Sequence, residues 1–294
     1  MINKINRIKK VLILGGGGAL GRKITYLYKN DSHYECISAG LNKSNIVDCL
    51  VDITNFSQVE ELLSSIEPDI VMNLTGTYSS DFNISISVNV QGSRNVLEVC
   101  KKLLNKKRTR VILMGSAAEY GYVTESECPI KEDKNLKPIT INGMVKVWQS
   151  TMANYYYAAG VDVLIARIFN LYGPGISNNL FYGRVLSQIE MIKSGTREVL
   201  EIGNLNSIRD YISTEQAAVL IKKIANLGKS GEVYNIASGR GIKMREFLES
   251  CLYEHGLNMS IVFENNNFSN KTGLDIPIIY GDIEKSRSLT KRWP

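Results

Sequence analysis

The sequence is poor in metal-binding side chains. It holds two histidines, His33 and His255, far apart along the chain. Its five cysteines (Cys36, Cys49, Cys100, Cys128 and Cys251) are scattered, with no Cys-x-x-Cys spacing. This argues against a zinc site or a disulfide scaffold. It predicts no metal centre and a reducing compartment, the cytoplasm. Long apolar runs are missing too: no stretch reaches the roughly eighteen residues of a membrane span, and Met1–Lys10 leads into glycines instead of a signal core. No membrane partner is expected. Strong charge of one sign is also absent, since 35 Lys and Arg face 29 Asp and Glu for a net of +6. Part of that excess is local, at Lys101-Lys102 and Lys106-Lys107-Arg108, and reads as a solvated helix end. A nucleic-acid surface would be more basic and interleaved with aromatics, so none is expected, whereas a modest surplus of cations suits an anionic ligand such as a nucleotide. Internal repeats and low-complexity tracts are lacking.

What the chain does contain is a glycine turn. Val11-Leu-Ile-Leu14 runs into Gly15-Gly-Gly-Gly18-Ala19-Leu20-Gly21. Four apolar residues, glycines at a three-residue interval and a helix-competent segment predict strand, tight turn and helix N-terminus. Such a turn offers backbone N–H groups and the positive end of a helix dipole to a pyrophosphate. Gly15 permits the turn, Gly18 lets the backbone approach the ligand, and Gly21 lets helix and strand pack closely. A flexible linker would not be preceded by an apolar run and followed by Ala-Leu.

The segments that follow alternate in character. Tyr34–Ala39, Asp69–Leu74, Arg110–Met114 and Val161–Ile168 read as strands. Asn55–Glu67, Val88–Leu104 and Gly143–Ala159 read as helices, the first stopped by Pro68. The alternation predicts an α/β fold: a doubly wound parallel sheet of the Rossmann type, with ligands outside the carboxyl ends of its strands. Beyond about residue 172 the pattern loosens into helices at Leu180–Lys193, Thr214–Leu227 and after Gly241. The expected division is therefore 1–172 for the dinucleotide-binding domain and 173–294 for a small C-terminal α/β substrate-binding lobe, some of whose segments return to the first domain. The Asn-rich patch Glu264–Lys271 is expected to be a surface loop.

Taken together these stretches resemble the extended short-chain dehydrogenase/reductase family of nucleotide-sugar epimerases, dehydratases and reductases. The motifs that carry the likeness are Gly15-x-x-Gly18-x-x-Gly21, Asp52-Ile53, Asn73-Leu-Thr-Gly76, Asn89-Val-Gln-Gly92, Ser116-Ala-Ala-Glu-Tyr-Gly121, Arg167-Ile-Phe-Asn170, Arg209-Asp210-Tyr211 and the closing Asp282…Trp293-Pro294. Each is weak alone; their order and spacing are specific. Within the family, Ile202–Tyr211 and Gly231–Gly239 look most like the GDP-4-keto-6-deoxymannose reductases and the GDP-mannose 4,6-dehydratases. The dehydratases carry an acid two positions after the catalytic Ser/Thr. Here Ala118 stands there, which disfavours elimination and favours a 4-keto reductase serving surface-polysaccharide synthesis.

The resemblance implies a Ser, a Tyr and a Lys at the reacting centre, the last two as Tyr-x-x-x-Lys on one helix face. Ser116 and Lys146 stand in place, but the tyrosine position is Asn142. An amide donates a hydrogen bond, yet it supplies no proton near neutral pH. Three explanations stay open. Protonation passes through water or another group, Tyr120 being nearest in sequence; or redox chemistry has been lost while a nucleotide sugar still binds; or the asparagine is an engineered substitution that traps substrate. A 4-epimerase and a catalytically silent dinucleotide-binding protein are the corresponding rivals.

The resemblance places the cofactor against Gly15, Gly18, Ala19, Leu20, Gly21, Asp52, Ile53, Leu74, Thr75, Gly76, Asn89 and Lys146. It places the sugar nucleotide against Ser116, Ala117, Asn170, Asn179, Arg184 and Arg209, the last suited to a diphosphate. Strand two ends without an acid to meet a ribose 2′-hydroxyl, while Arg22 and Lys43 can meet a 2′-phosphate. NADP(H) is therefore expected over NAD(H). The implied partners are a nucleotide-diphosphate sugar, GDP-linked by preference, and a second copy of the chain in a homodimer. Tyr155-Tyr156-Tyr157 is expected in helix packing or a subunit contact.

Overall fold

The computed structural model describes residues 7–265 and 276–289. Its centre is a seven-stranded sheet. The strands are β1 (Lys9–Leu14), β2 (Tyr34–Gly40), β3 (Cys49–Leu50), β4 (Ile70–Asn73), β5 (Arg110–Ser116), β6 (Asp162–Ile168) and, from far along the chain, β11 (Val233–Ile236). Their order is β11-β6-β5-β4-β1-β2-β3, and every neighbouring pair is parallel. The order reverses between β1 and β4, which opens a crevice at the carboxyl end of β1, where the glycine turn lies.

Helices cover both faces because successive strand residues point to opposite sides. Val11, Ile13, Met72 and Ile112 pack under α1 (Ala19–Lys29) and α7 (Thr214–Leu227), through Leu20, Ile24, Leu220, Ile221 and Ile224. Leu12, Leu14, Val71, Val111 and Leu113 pack under α2 (Phe56–Ile66), α4 (Gly92–Lys102) and α5 (Ile141–Ala158), through Val59, Leu63, Val96, Val99 and Ala153. Each buried Val, Leu, Ile or Met among them contributes about 1.5–3 kcal/mol. This is the doubly wound Rossmann sheet that the alternation predicts.

Local capping explains several boundaries. The Asn55 side chain accepts the Gln58 N–H and starts α2, and Thr140 accepts the Gly143 N–H and starts α5. Ser213 and Gln216 form a capping box that starts α7. One expected helix differs. The segment taken to begin at Val88 begins earlier, at α3 (Phe82–Ser85), and passes through a π-helical stretch, Ile86–Gln91, before α4. The wider turn re-aims the side chains of that stretch, and Asn89 is buried within it.

The remaining elements form the lobe, and two of them return to the sheet. Strand β7 (Asn170–Tyr172) pairs in parallel with β10 (Tyr211–Ser213). Strand β9 (Ile208–Arg209) lies between β12 (Ile242–Lys243) and β14 (Ile278–Ile279), and β8 (Leu200–Ile202) pairs with β13 (Val262–Glu264). Helices α6 (Phe181–Lys193) and α8 (Met244–Glu254) close an aromatic core of Tyr172, Phe181, Tyr182, Tyr211 and Phe247. The returning elements are α7 and β11. A short α9 (Glu284–Ser288) anchors beside β11 through Ser286 Oγ, which donates to Asn235 O at 2.6 Å. The Asn-rich patch after Asn265 and the closing Trp293-Pro294 lie outside the described residues. Among the described residues no helix is long and apolar enough to cross a membrane, and no group of His, Cys, Asp and Glu is placed to hold a metal ion.

Candidate active site

A cleft of about 470 Å³ opens where β1, β4 and β5 end. On the sheet side it is lined by Gly15, Gly18, Ala19, Leu20 and Gly21, by Leu74, Thr75 and Gly76 after β4, by Asn89, and by Ser116, Ala117, Asn142 and Lys146. The lobe contributes Asn170, Arg209 and Tyr211. Most of the residues that the sequence singles out therefore share one cavity.

The glycine turn has the shape a diphosphate needs. Gly15 has φ +80°, a conformation that side chains resist. A Cβ on Gly21 would lie 2.3 Å from Gly15 O, so that glycine is required by packing alone. A Cβ on Gly18 would meet nothing closer than Gly15 O at 3.5 Å, so the protein itself leaves that space open. Helix α1 starts there with no side-chain cap, and its first-turn N–H groups have no partner within the helix. A second vacancy lies deeper. Asn89 spends its amide hydrogens on Thr77 O and Ser85 O, and its buried Oδ1 has no hydrogen-bond partner among the described residues. A Cβ on Gly76 would stand 3.1 Å from that oxygen and 3.8 Å from Lys146 Nζ. Open backbone at one end and an unsatisfied acceptor beside an ammonium group at the other fit a pyridine dinucleotide laid across the sheet.

Lys146 is almost fully buried. Its Nζ donates to Met114 O at 2.7 Å and to Gln149 Oε1 at 2.9 Å. Burial pulls its pKa down from 10.5 to about 8, opposed by the nearby Glu119 carboxylate. Gln149 was not anticipated; its place three residues after Lys146, one helical turn on, was the available signal. Ser116 caps the turn after β5, where its Oγ accepts the Ala118 N–H at 3.2 Å. Its backbone N–H goes to Glu119 Oε1 at 2.7 Å. Asn142 occupies the first turn of α5 and its amide makes no hydrogen bond among the described residues.

Tyr120 does not reach the cleft. It is fully buried, donates to Asn235 Oδ1 at 2.7 Å and accepts from Arg167 Nη1 at 3.0 Å. Burial pushes its phenol up to about 12, against the pull of Arg167. The expectation that it protonates substrate is corrected: its hydroxyl is committed to a structural network. That network centres on Glu119 and Arg167, both buried, with Oε2 3.0 Å from Nη2 and a further hydrogen bond from Ser150 Oγ at 2.7 Å.

Other expected contacts also fall elsewhere. Ile53 is core, pressed against Gly92, and Asp52 holds Thr54 through its backbone N–H and hydroxyl. Asn179, in the turn before α6, and Arg184 are exposed and do not line the cleft; on α6, Val185 and Ile189 take the inward face and leave Arg184 outside. Arg22 reaches back to Gly17 O at 2.8 Å, so it stands beside the turn but outside the cleft lining. Lys43 is exposed in the loop after β2, which lies against Gly17 through Val47 and Ser44. The same loop returns Asp48 to β2: its Oδ2 accepts the Ser38 N–H at 2.9 Å and its Oδ1 pairs with Lys29. That carboxylate was not anticipated, since it lies outside the strand in sequence. In the lobe, Asn170 donates to Asp210 O at 2.9 Å. Asp210 is a buried clamp that accepts N–H groups from Ser238, Gly239 and Gly281, and so fixes Arg209 and Tyr211 on either side of it.

A family profile described as the NAD dependent epimerase/dehydratase family matches residues 11–237, from β1 through the returning β11. The chain belongs to that family. It is 26% identical over 279 residues to a GDP-6-deoxy-D-talose 4-dehydrogenase of Aggregatibacter actinomycetemcomitans, covering 94% of this chain and 89% of that one. It is 29% identical over 189 residues to a GDP-6-deoxy-D-mannose reductase of Pseudomonas aeruginosa, covering 62% of each. The solved structure of RMD from Pseudomonas aeruginosa complexed with NADPH superposes with a TM-score of 0.81 at 20% identity, covering 97% of this chain and 93% of that one, which shows a shared fold.

Proposed function

We propose that this family member is an NADP(H)-dependent oxidoreductase of a GDP-linked 4-keto-6-deoxyhexose. The observation that carries the reading is one cleft joining the open glycine turn, Ser116 and Lys146 to Arg209 of the lobe. The relatives named for GDP-6-deoxy sugars support the substrate class, and Ala118 in place of an acid speaks against dehydration.

The residues divide the work. The turn at Gly15–Gly21 holds the diphosphate of the dinucleotide, and Lys146 with Asn89 holds its nicotinamide half. When bound, the reduced dinucleotide supplies hydride to the sugar carbonyl. Ser116 Oγ, whose lone pair is engaged by Ala118, keeps its hydrogen for the carbonyl oxygen. Asn142 offers an amide N–H to the same oxygen. Arg209 neutralises the diphosphate of the sugar nucleotide. Arg22 and Lys43 favour a 2′-phosphate, and the Asp48 carboxylate beside the end of β2 is held by Lys29 and Ser38. A second copy docking as a homodimer belongs to the same reading.

The test is reduction of GDP-4-keto-6-deoxymannose, followed by loss of NADPH absorbance, beside fluorescence titrations with NADPH and NADH. Turnover with tighter NADPH binding supports the reading. Binding of dinucleotide and GDP-sugar without turnover would instead leave a silent binding protein, the alternative that Asn142 favours.

A further inference from the structure

With asparagine at 142 and Tyr120 sealed in the core, the cleft still needs an acid. Lys146 is poorly suited, because two of its three hydrogens are spent on Met114 O and Gln149 Oε1. Three tyrosines line the cleft among the described residues: Tyr78, Tyr182 and Tyr211. Tyr211 lies flat on Phe247, with centroids 3.6 Å apart and planes 3° apart, inside the core of the lobe. Tyr182 packs edgewise on Tyr172 and against Phe247 in the same core. Tyr78 differs from both. It stands on the sheet side, two residues after Gly76, and its hydroxyl makes no hydrogen bond among the described residues.

The loop that carries Tyr78 is fastened on both sides of it. Thr77 O accepts from Asn89 Nδ2 at 3.2 Å, and Ser79 O accepts from Ser85 Oγ at 2.9 Å. Both anchors come from the helix that contains the π-helical stretch. From this anchored loop Tyr78 lines the same cavity as Ser116, Asn142 and Lys146. Its ring is half exposed, while burial around the hydroxyl raises the phenol above its ordinary pKa and keeps it protonated at neutral pH.

We propose that Tyr78 supplies the acidic hydroxyl that position 142 lacks. The inference rests on the reductase reading above. As hydride adds to the carbonyl carbon, the C=O π pair moves to oxygen, the Tyr78 O–H bond breaks, and its proton forms the new alcohol. The phenolate left behind, which its surroundings disfavour, takes a proton from solvent. Ser116 and Asn142 then serve as hydrogen-bond donors that orient the oxygen.

The experiment uses the full chain with GDP-4-keto-6-deoxymannose and NADPH, comparing wild type, Tyr78→Phe, Asn142→Tyr and the double variant. Tyr78→Phe is expected to lower kcat by about 10²-fold or more, the size of a lost general acid, with NADPH affinity unchanged. It should also weaken binding of the keto sugar nucleotide, measured by calorimetry without dinucleotide, by about fivefold while leaving GDP affinity alone, the loss of one hydrogen bond. Adding Asn142→Tyr to Tyr78→Phe should restore most of kcat, which a merely structural defect would not allow. Tyr78→Phe turning over within threefold of wild type overturns the proposal. An inactive wild type beside an active Asn142→Tyr also overturns it, yet leaves the reductase reading standing. No turnover by any of the four removes that reading and this proposal with it.

Discussion

Gln149 Oε1 lies 2.9 Å from Lys146 Nζ, and Gln149 Nε2 donates to Met114 O, the same carbonyl that Lys146 uses. The three groups form a closed triangle between α5 and the end of β5. It fixes the ammonium group under Gly76 before any ligand arrives, so less ordering remains to be done on binding.

Replacing Gln149 with Met keeps the volume and removes the acceptor. Hydrogen bonds to charged groups are worth about 1.5–3 kcal/mol, so dinucleotide affinity should weaken roughly tenfold at neutral pH. Titration of NADPH against the variant measures this; an unchanged Kd would reduce Gln149 to packing.

The lowered pKa of Lys146 has a stability counterpart. The unfolded chain binds that proton up to about pH 10.5, whereas the folded chain releases it near 8. Between those values the unfolded state holds more protons, so stability contributed at this site rises with pH. Relative to Lys146→Met, the wild type should gain up to about 3 kcal/mol on going from pH 8 to 10.5, as read by urea unfolding at several pH values. Parallel curves for the two proteins would contradict the buried, depressed lysine.

Tyr120→Phe should separate structure from chemistry. Asn235 Oδ1 loses the hydrogen bond from the tyrosine hydroxyl, and Arg167 Nη1 loses the acceptor. Stability should fall by about 1–3 kcal/mol, the cost of leaving buried polar groups unpaired, while kcat stays near the wild-type value. A kcat reduced a hundredfold with unchanged Tm would return Tyr120 to the reacting centre.

Two alanine substitutions in the glycine turn should behave oppositely. Gly18→Ala finds room in the free protein and should keep a wild-type Tm, yet weaken NADPH binding at least tenfold, because its methyl occupies ligand space. Gly21→Ala drives a Cβ to 2.3 Å from Gly15 O and should lower stability by about 1–3 kcal/mol before any ligand is added. Thermal melts with and without NADPH distinguish the two. Equal effects on Tm would show that Gly18 is also needed for packing.

Backbone architecture was legible because it depends on short-range pattern. The apolar runs of β1 and β4, the capped start of α2 and the span Thr214–Leu227 all follow from periodicity and end signals. Gly15, Ser116 and Lys146 were legible because motif spacing fixes their register. What stayed hidden depends on side-chain direction or on chain return. Tyr120 is one helical turn from Ser116, but it points into the Arg167 network. Arg184 lies on the outward side of α6, a choice set by packing of Val185 and Ile189. Asp48 and Gln149 enter their neighbourhoods through a loop closure and a carbonyl on another element. The π-helical stretch, in which Asn89 is buried, is invisible to a 3.6-residue period.

Strand β11 closes the flank of the sheet on β6, although more than sixty residues of lobe separate the two in sequence. Cutting the chain after residue 172 would therefore leave β6 paired with β5 alone and lay bare a row of unpaired amides and carbonyls on its other side, an invitation to self-association. Whoever expresses the amino-terminal half alone should meet aggregates, and should recover tractable protein by supplying α7 and β11 through a short bridge from Ile168.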